Sequence, residues 1–174
     1  MPAITDGDRL HLGFLHIAVT DSGFVGGMLV TNRQGRPLEF QCTTPVRPNK
    51  TQEILYGPTL QPYIYSELLG KTLCERLAVK PGLIITNQPA LLELRHHVPY
   101  AVACVIAPGT EDALADQTRQ QVGRHQLRIH PEFADDADTL AKVAKSIPND
   151  ADLLEPLERV QEALQETVRA GAVA

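Results

Sequence analysis

The apolar residues of this chain change period once, near residue 62, and the fold has to accommodate both periods. Before that point apolar and polar residues alternate. In "GFLHIAVT" Leu15, Ile17 and Val19 take turns with His16 and Ala18, the two-residue period of a strand with one face in a core. "TDSG" at 20–23 and "NRQG" at 32–35 are turn chemistry: Asp, Ser and Asn bond nearby amides, and Gly adopts positive φ. "GGMLVTN" reads as a second strand. "PLEFQCTT" reads as a third, with Leu38, Phe40 and Cys42 on one face and Glu39, Gln41 and Thr43 on the other. Strands at this spacing predict an antiparallel meander.

Beyond the change, Ile64, Leu68, Leu69, Leu73 and Leu77 recur at three- and four-residue intervals, which predicts an amphipathic helix from about Pro62 to Leu77. "KPG" at 80–82 ends it. "LIITN" and "VPYAVACVIAP" are short continuous apolar runs, the signature of strands buried on both faces. The helical "QPALLELRHH" between them makes a βαβ unit with parallel strands. The stretch 108–123 is polar and expected to be partly helical, "RHQLRIH" a late edge strand, and "DDADTLAKVAKSI" a short helix. The fold class expected is α/β or α+β, with a mixed sheet and C-terminal helices.

Charge divides the chain. Residues 109–174 hold 13 acidic and 7 basic side chains, while residues 1–108 hold 8 and 9. The expected organisation is a sheet domain over 1–108, with an acidic, mainly helical region over 109–174 packed on it. No run of apolar residues is long enough for a membrane helix, and the N-terminal residues do not read as a signal peptide. Cys42, Cys74 and Cys104 are an odd set without a CxxC pair, which fits reduced thiols and a cytoplasmic protein.

The residues offer four kinds of candidate site. Cys42 lies near Arg36, Arg47 and Lys50, yet no local motif supplies it with a base. An enzyme or small-ligand site would use the His16/Cys42 region, with Cys42 or His16 acting beside the basic loop. The histidines His96 and His97 cannot chelate as a helical pair, because adjacent residues point about 100° apart. No zinc-ligand spacing occurs, so no metal and no cofactor are expected. "GFVGG" at 23–27 lacks the Lys-Ser/Thr of a phosphate loop and precedes no helix, so its glycines are expected to permit a bulge or a close backbone neighbour.

The stretch 35–65 is rich in Pro, Tyr and Arg. It is expected to form a preorganised surface loop, with Arg33, Arg36, Arg47, Lys50, Tyr56, Tyr63 and Tyr65 as a candidate binding surface. The C-terminal segment aligns Leu153, Leu157, Val160, Leu164 and Val168 in one stripe. Such a seam packs on its own domain, on a second copy or on a partner helix. The segment "GGMLVTNRQGRPLEF" resembles the sheets of sensory and longin-like domains, in which a hairpin precedes a helix. The resemblance covers about fifteen residues and assigns no functional residue. The function expected is a non-catalytic interaction subunit of a cytosolic complex, partnered by another protein or a second copy. The alternatives are the His16/Cys42 site and a nucleic-acid accessory role for the basic stretch 33–50.

Overall fold

A computed structural model describes residues 10–110 and 118–171. Its seven strands form a single mixed sheet in the order β3-β2-β1-β4-β5-β7-β6. The meander is β1 (His11–Thr20), β2 (Gly23–Asn32) and β3 (Pro37–Cys42), all antiparallel. β4 (Leu83–Thr86) and β5 (Val102–Val105) lie parallel to β1 and to each other. All eight residues of these two short strands are buried, as their unbroken apolar runs require.

The residues beyond 108 do not only pack on that sheet; they widen it. β6 (Arg119–Val122) and β7 (His125–Ile129) add two antiparallel strands next to β5. The expected helical character of 108–123 therefore gives way to a strand at 119–122, while 111–117 lie outside the described residues. β7 is an inner strand, and β6 takes the edge. The sequence of β6, "RQQV", shows no apolar alternation because an edge strand has few neighbours to bury against.

Two aliphatic cores flank the sheet. One holds α4 (Asp136–Ser146) and α5 (Glu155–Arg169). The other holds the helical path after β3 and the 3-10 helix Pro89–His96 that crosses from β4 to β5. That path starts earlier than the expected Pro62. α1 (Lys50–Tyr56) opens with a reciprocal cap: Asn49 accepts from the Gln52 amide, and the Gln52 side chain accepts from the Asn49 amide. Gly57, at φ 52°, closes α1, and Pro58 fits the first turn of the 3-10 segment Gly57–Thr59. The path continues through α2 (Leu60–Pro62), a π-helical segment Tyr63–Gly70 and α3 (Lys71–Arg76). The stretch 35–65 is thus half helix rather than a rigid loop.

The C-terminal stripe is spent on its own sheet. Leu153, Leu157, Val160 and Leu164 are buried against β1 and β2, and Val168 packs at the margin of the same core. The seam therefore offers nothing to a partner helix. α5 covers β1 and β2 but stops short of β3. Of the face shared by Leu38, Phe40 and Cys42, only Cys42 reaches the core, while Leu38 and Phe40 stay partly exposed at the sheet edge. Glu39, on the opposite face, ties that edge down by accepting from the amides of Ala78 (2.9 Å) and Val79 (2.8 Å).

Candidate binding face around the first helix

The basic residues of 33–50 do not gather. Arg33 and Arg36 sit in the β2–β3 turn. Arg47 and Lys50 follow Val46, which pairs with Phe24 at the opposite end of β2. Ten residues of strand separate the two pairs, about 30 Å at the usual rise. Tyr65 leaves the surface as well. It is buried in the core and meets Phe24 edge-to-face at 6.1 Å. What remains together is Arg47, Lys50, Tyr56 and Tyr63, all around α1.

α1 buries none of its residues. Ile54 and Leu55 are 68% and 78% exposed, beside Tyr56, whose ring stacks on Tyr63 at 4.8 Å and 23°. The hydrogen bond with Tyr56 holds the Tyr63 phenol above its ordinary pKa. The stacked rings form one wall of an open cavity of about 490 Å3, completed by Thr59, Pro62, Ser66, Glu67, Glu93 and His97. Ser66 belongs to the π-helical segment, and its hydroxyl is buried without a hydrogen-bond partner. On the other side of the rings, Arg47, Pro48, Gln52 and Leu60 line a smaller cleft.

His16 and Cys42 share one cross-strand row. His16 pairs with Gly27, and Gly27 with Cys42, on the face that α5 covers. Two strand spacings put them about 10 Å apart, well beyond the ~3 Å of a nucleophile–base hydrogen bond. Val160 and Leu164 of α5 lie over the glycine between them. His16 and Cys42 therefore cannot act as a nucleophile–base pair. Cys74 and Cys104 are no better placed, since burial pushes their thiols up to about 12 and about 11. The glycines of "GFVGG" serve close packing: a methyl on Gly26 would meet Leu73 of α3 at 3.0 Å, and one on Gly27 would meet Val160 at 2.9 Å.

His16 is a structural histidine. Its residue exposure is 8%. Gln161 Nε2 donates to its Nε2 at 3.1 Å, so the ring proton sits on Nδ1, which is buried. Burial lowers its pKa, and Asn87 only partly offsets this. Beside it, where β4 has ended, the Gln88 amide takes the place of a strand residue. Gln88 Oε1 accepts from Ile17 N at 2.8 Å and Nε2 donates to Ile17 O at 2.9 Å. Because the folded ring resists protonation, the unfolded chain binds the extra proton first. Stability from this group is complete above the ordinary histidine pKa and falls as pH drops through the lower folded value. Denaturant midpoints at pH 7.5 and 5.5 should therefore converge in His16→Leu relative to the parent protein; equal pH dependence in both would refute this.

A second cluster was not legible as a site. Glu93 and His96 stand three residues apart on a 3-10 helix, where such positions eclipse, and His130 at the end of β7 joins them. Their ligand atoms lie within 4.8 Å of one another. The bonding still argues against a metal. His130 Nδ1 accepts from the Glu132 amide at 3.1 Å, which leaves the proton on Nε2, facing Glu93 Oε1 at 3.1 Å. A metal-bound imidazole needs the reverse, a bare ligand nitrogen and a proton on the other. The cluster instead latches the 3-10 helix to the β7 end. Next to it, Arg95 binds Asp136 at 2.7 Å and lies over Phe133 at 4.3 Å.

No protein-family model matches the sequence, and no curated protein matches it. Among solved structures, the chain is similar to a protein of unknown function from Archaeoglobus fulgidus DSM 4304, with 12% identity and a TM-score of 0.45 over 88% of this chain and 95% of that one. It is also similar to Ciona intestinalis endonuclease V in complex with inosine-containing DNA, with 10% identity and a TM-score of 0.41 over 90% of this chain and 86% of that one. Likenesses this loose assign no role to any residue here. Among the described residues no helix is long and apolar enough to cross a membrane.

Proposed function

We propose that the protein is a non-catalytic interaction subunit that docks on another protein through α1. One observation carries the reading: a seven-residue helix, capped at both ends, buries nothing of its own and presents Ile54, Leu55 and Tyr56 to solvent. A helix this short does not persist in water by itself. Here the cap, Gly57 and the Tyr56–Tyr63 stack hold it in shape, and that preorganisation lowers the entropic cost of binding. The partner surface is an apolar groove sized for one helical turn. Arg47 and Lys50 flank the knob, so an acidic rim around that groove fits best. The separation of Arg33 and Arg36 from Arg47 and Lys50 weakens the nucleic-acid alternative, and the distance between His16 and Cys42 weakens the catalytic one.

The test places a photo-crosslinking amino acid at position 55 in the native host and identifies adducts by mass spectrometry. One predominant protein adduct is expected, from another protein or a second copy, and it should disappear when Ile54→Asp is added. Adducts that are diffuse, or that survive Ile54→Asp, sink the proposal. Once the partner is in hand, Ile54→Asp with Leu55→Asp should weaken binding by roughly 2 kcal/mol or more, the scale of an interface hot spot. Both positions are exposed, so each substitution should change folding stability by no more than about 0.5 kcal/mol.

A further inference from the structure

We propose that the cavity beside α1 binds an organic cation, an ammonium or guanidinium group on a short aliphatic stem. Three features point there. The described residues lining the cavity include Glu67 and Glu93 but no lysine or arginine, so a phosphate or carboxylate ligand meets two carboxylates and no fixed cation. The stacked rings of Tyr56 and Tyr63 line the same cavity, surfaces that attract a cation and cover an aliphatic stem. Third, Ser66 lines the cavity at 1% exposure with a hydroxyl that no group in the described structure engages. A buried hydroxyl left without a partner is costly; it lies beneath the cavity lining, and a χ1 rotation toward the cavity would present it to a ligand N–H. Ser66 belongs to the π-helical turn Tyr63–Gly70, a distortion common at functional sites.

Histidines approach both carboxylates: His130 meets Glu93 Oε1 at 3.1 Å, His96 Nε2 lies 3.7 Å from Glu93 Oε2, and His97 Nε2 lies 3.8 Å from Glu67 Oε1. A carboxylate has about four lone-pair sites, so each still has acceptors left for a ligand N–H. The same chemistry arrives from two sources, a free small amine or a lysine or arginine side chain of a bound protein. The cavity and the α1 knob are adjacent but separable, because Ile54 and Leu55 do not line the cavity.

The experiment follows the tyrosine ring protons by NMR while n-butylammonium, N-acetyl-lysine amide and butyrate are titrated in turn. A ligand this small is expected to bind in the millimolar range. The two cations should shift Tyr56 and Tyr63 and butyrate should not, with affinity falling as salt rises. Glu67→Gln with Glu93→Gln keeps the hydrogen-bond acceptor for His130 and should weaken binding about tenfold, ~1.4 kcal/mol. Ser66→Ala should weaken binding while melting no lower than the parent, since it removes an unsatisfied buried hydroxyl; a purely structural Ser66 would leave affinity unchanged. Tighter binding of the lysine amide assigns the site to a polypeptide side chain, and tighter binding of n-butylammonium to a free amine. Binding of butyrate equal to that of the cations, unshifted tyrosine rings, or affinity unchanged in the Gln double variant overturns the proposal. Ile54→Asp with Leu55→Asp should retain amine binding, so failure of the docking reading and failure of this one are told apart.

Discussion

Leu157→Ala combined with Leu164→Ala should unfold most of the margin by which this protein is stable. Both leucines are fully buried, at 1% and 0% exposure, between α5 and the sheet. Each truncation removes three heavy atoms from a closed core and leaves a cavity, about 3 kcal/mol per site within the usual 2–5 range. The sites are seven residues apart on one helix and share Val160 between them, so the two losses need not be additive. A combined loss near 6 kcal/mol stands against a total of roughly 5–15 kcal/mol for a domain, and for a chain of this size each kcal/mol lowers the melting point by about 2–4 °C. Thermal melts with light scattering on the same samples check it. If α5 were a seam for a second copy, the double variant would melt like the parent and differ only in mass. The buried stripe excludes that outcome, and its observation would show that α5 does not pack on the sheet as described.

That contrast marks where sequence reasoning stopped. The stripe Leu153, Leu157, Val160, Leu164 and Val168 is plain from its spacing, but spacing says only that a face is apolar. Which surface covers it is set by long-range packing. β1 to β3, the βαβ unit and α5 were legible because each has a strong period or an unbroken apolar run. α1 was not, although its Asn49–Gln52 capping pair stands in the sequence. Pro45, Pro48, Pro58 and Pro62 around it read as loop, yet Pro58 stands in the first turn of its 3-10 segment, where a missing amide is tolerated, and Pro62 ends α2. β6 was hidden because "RQQV" at a sheet edge needs no apolar alternation. The basic residues misled through proximity in sequence: a strand reverses nothing along its length, so residues flanking β2 must end at opposite ends of the sheet. Glu93 and His96 share a face on any helix; the cluster was missed because its third member, His130, comes from the end of β7, far along the chain. The cavity by α1 required Tyr56, Ser66 and Glu93 to meet from three segments, which no local pattern encodes.

Gly27→Val is the second large effect, and its sign is decided by comparing two magnitudes. Valine is a better strand residue than glycine, a gain of at most about 1 kcal/mol. Against it, the first carbon of any side chain at this position would lie 2.9 Å from Val160 Cγ1 and 3.0 Å from Leu164 Cδ2. These are core atoms of a packed helix, not the free ends of flexible chains. Overpacking of this kind costs about 1–3 kcal/mol, and the two methyls of valine reach farther than the carbon that already clashes. If α5 instead lifts away to make room, the burial of Leu157, Val160 and Leu164 is lost, which costs more. A net loss of about 3 kcal/mol is therefore expected, with faster amide exchange along 155–169 than in the parent. Val160→Ala supplies the decisive comparison. Alone it should destabilise by removing buried methyls. In the Gly27→Val background it opens the space the new side chain needs, so it should destabilise less there or even restore stability. A double-mutant cycle that gives simple additivity would mean that α5 does not rest on Gly27, and the glycine pair of "GFVGG" would lose its account as the place where helices approach the sheet from both faces.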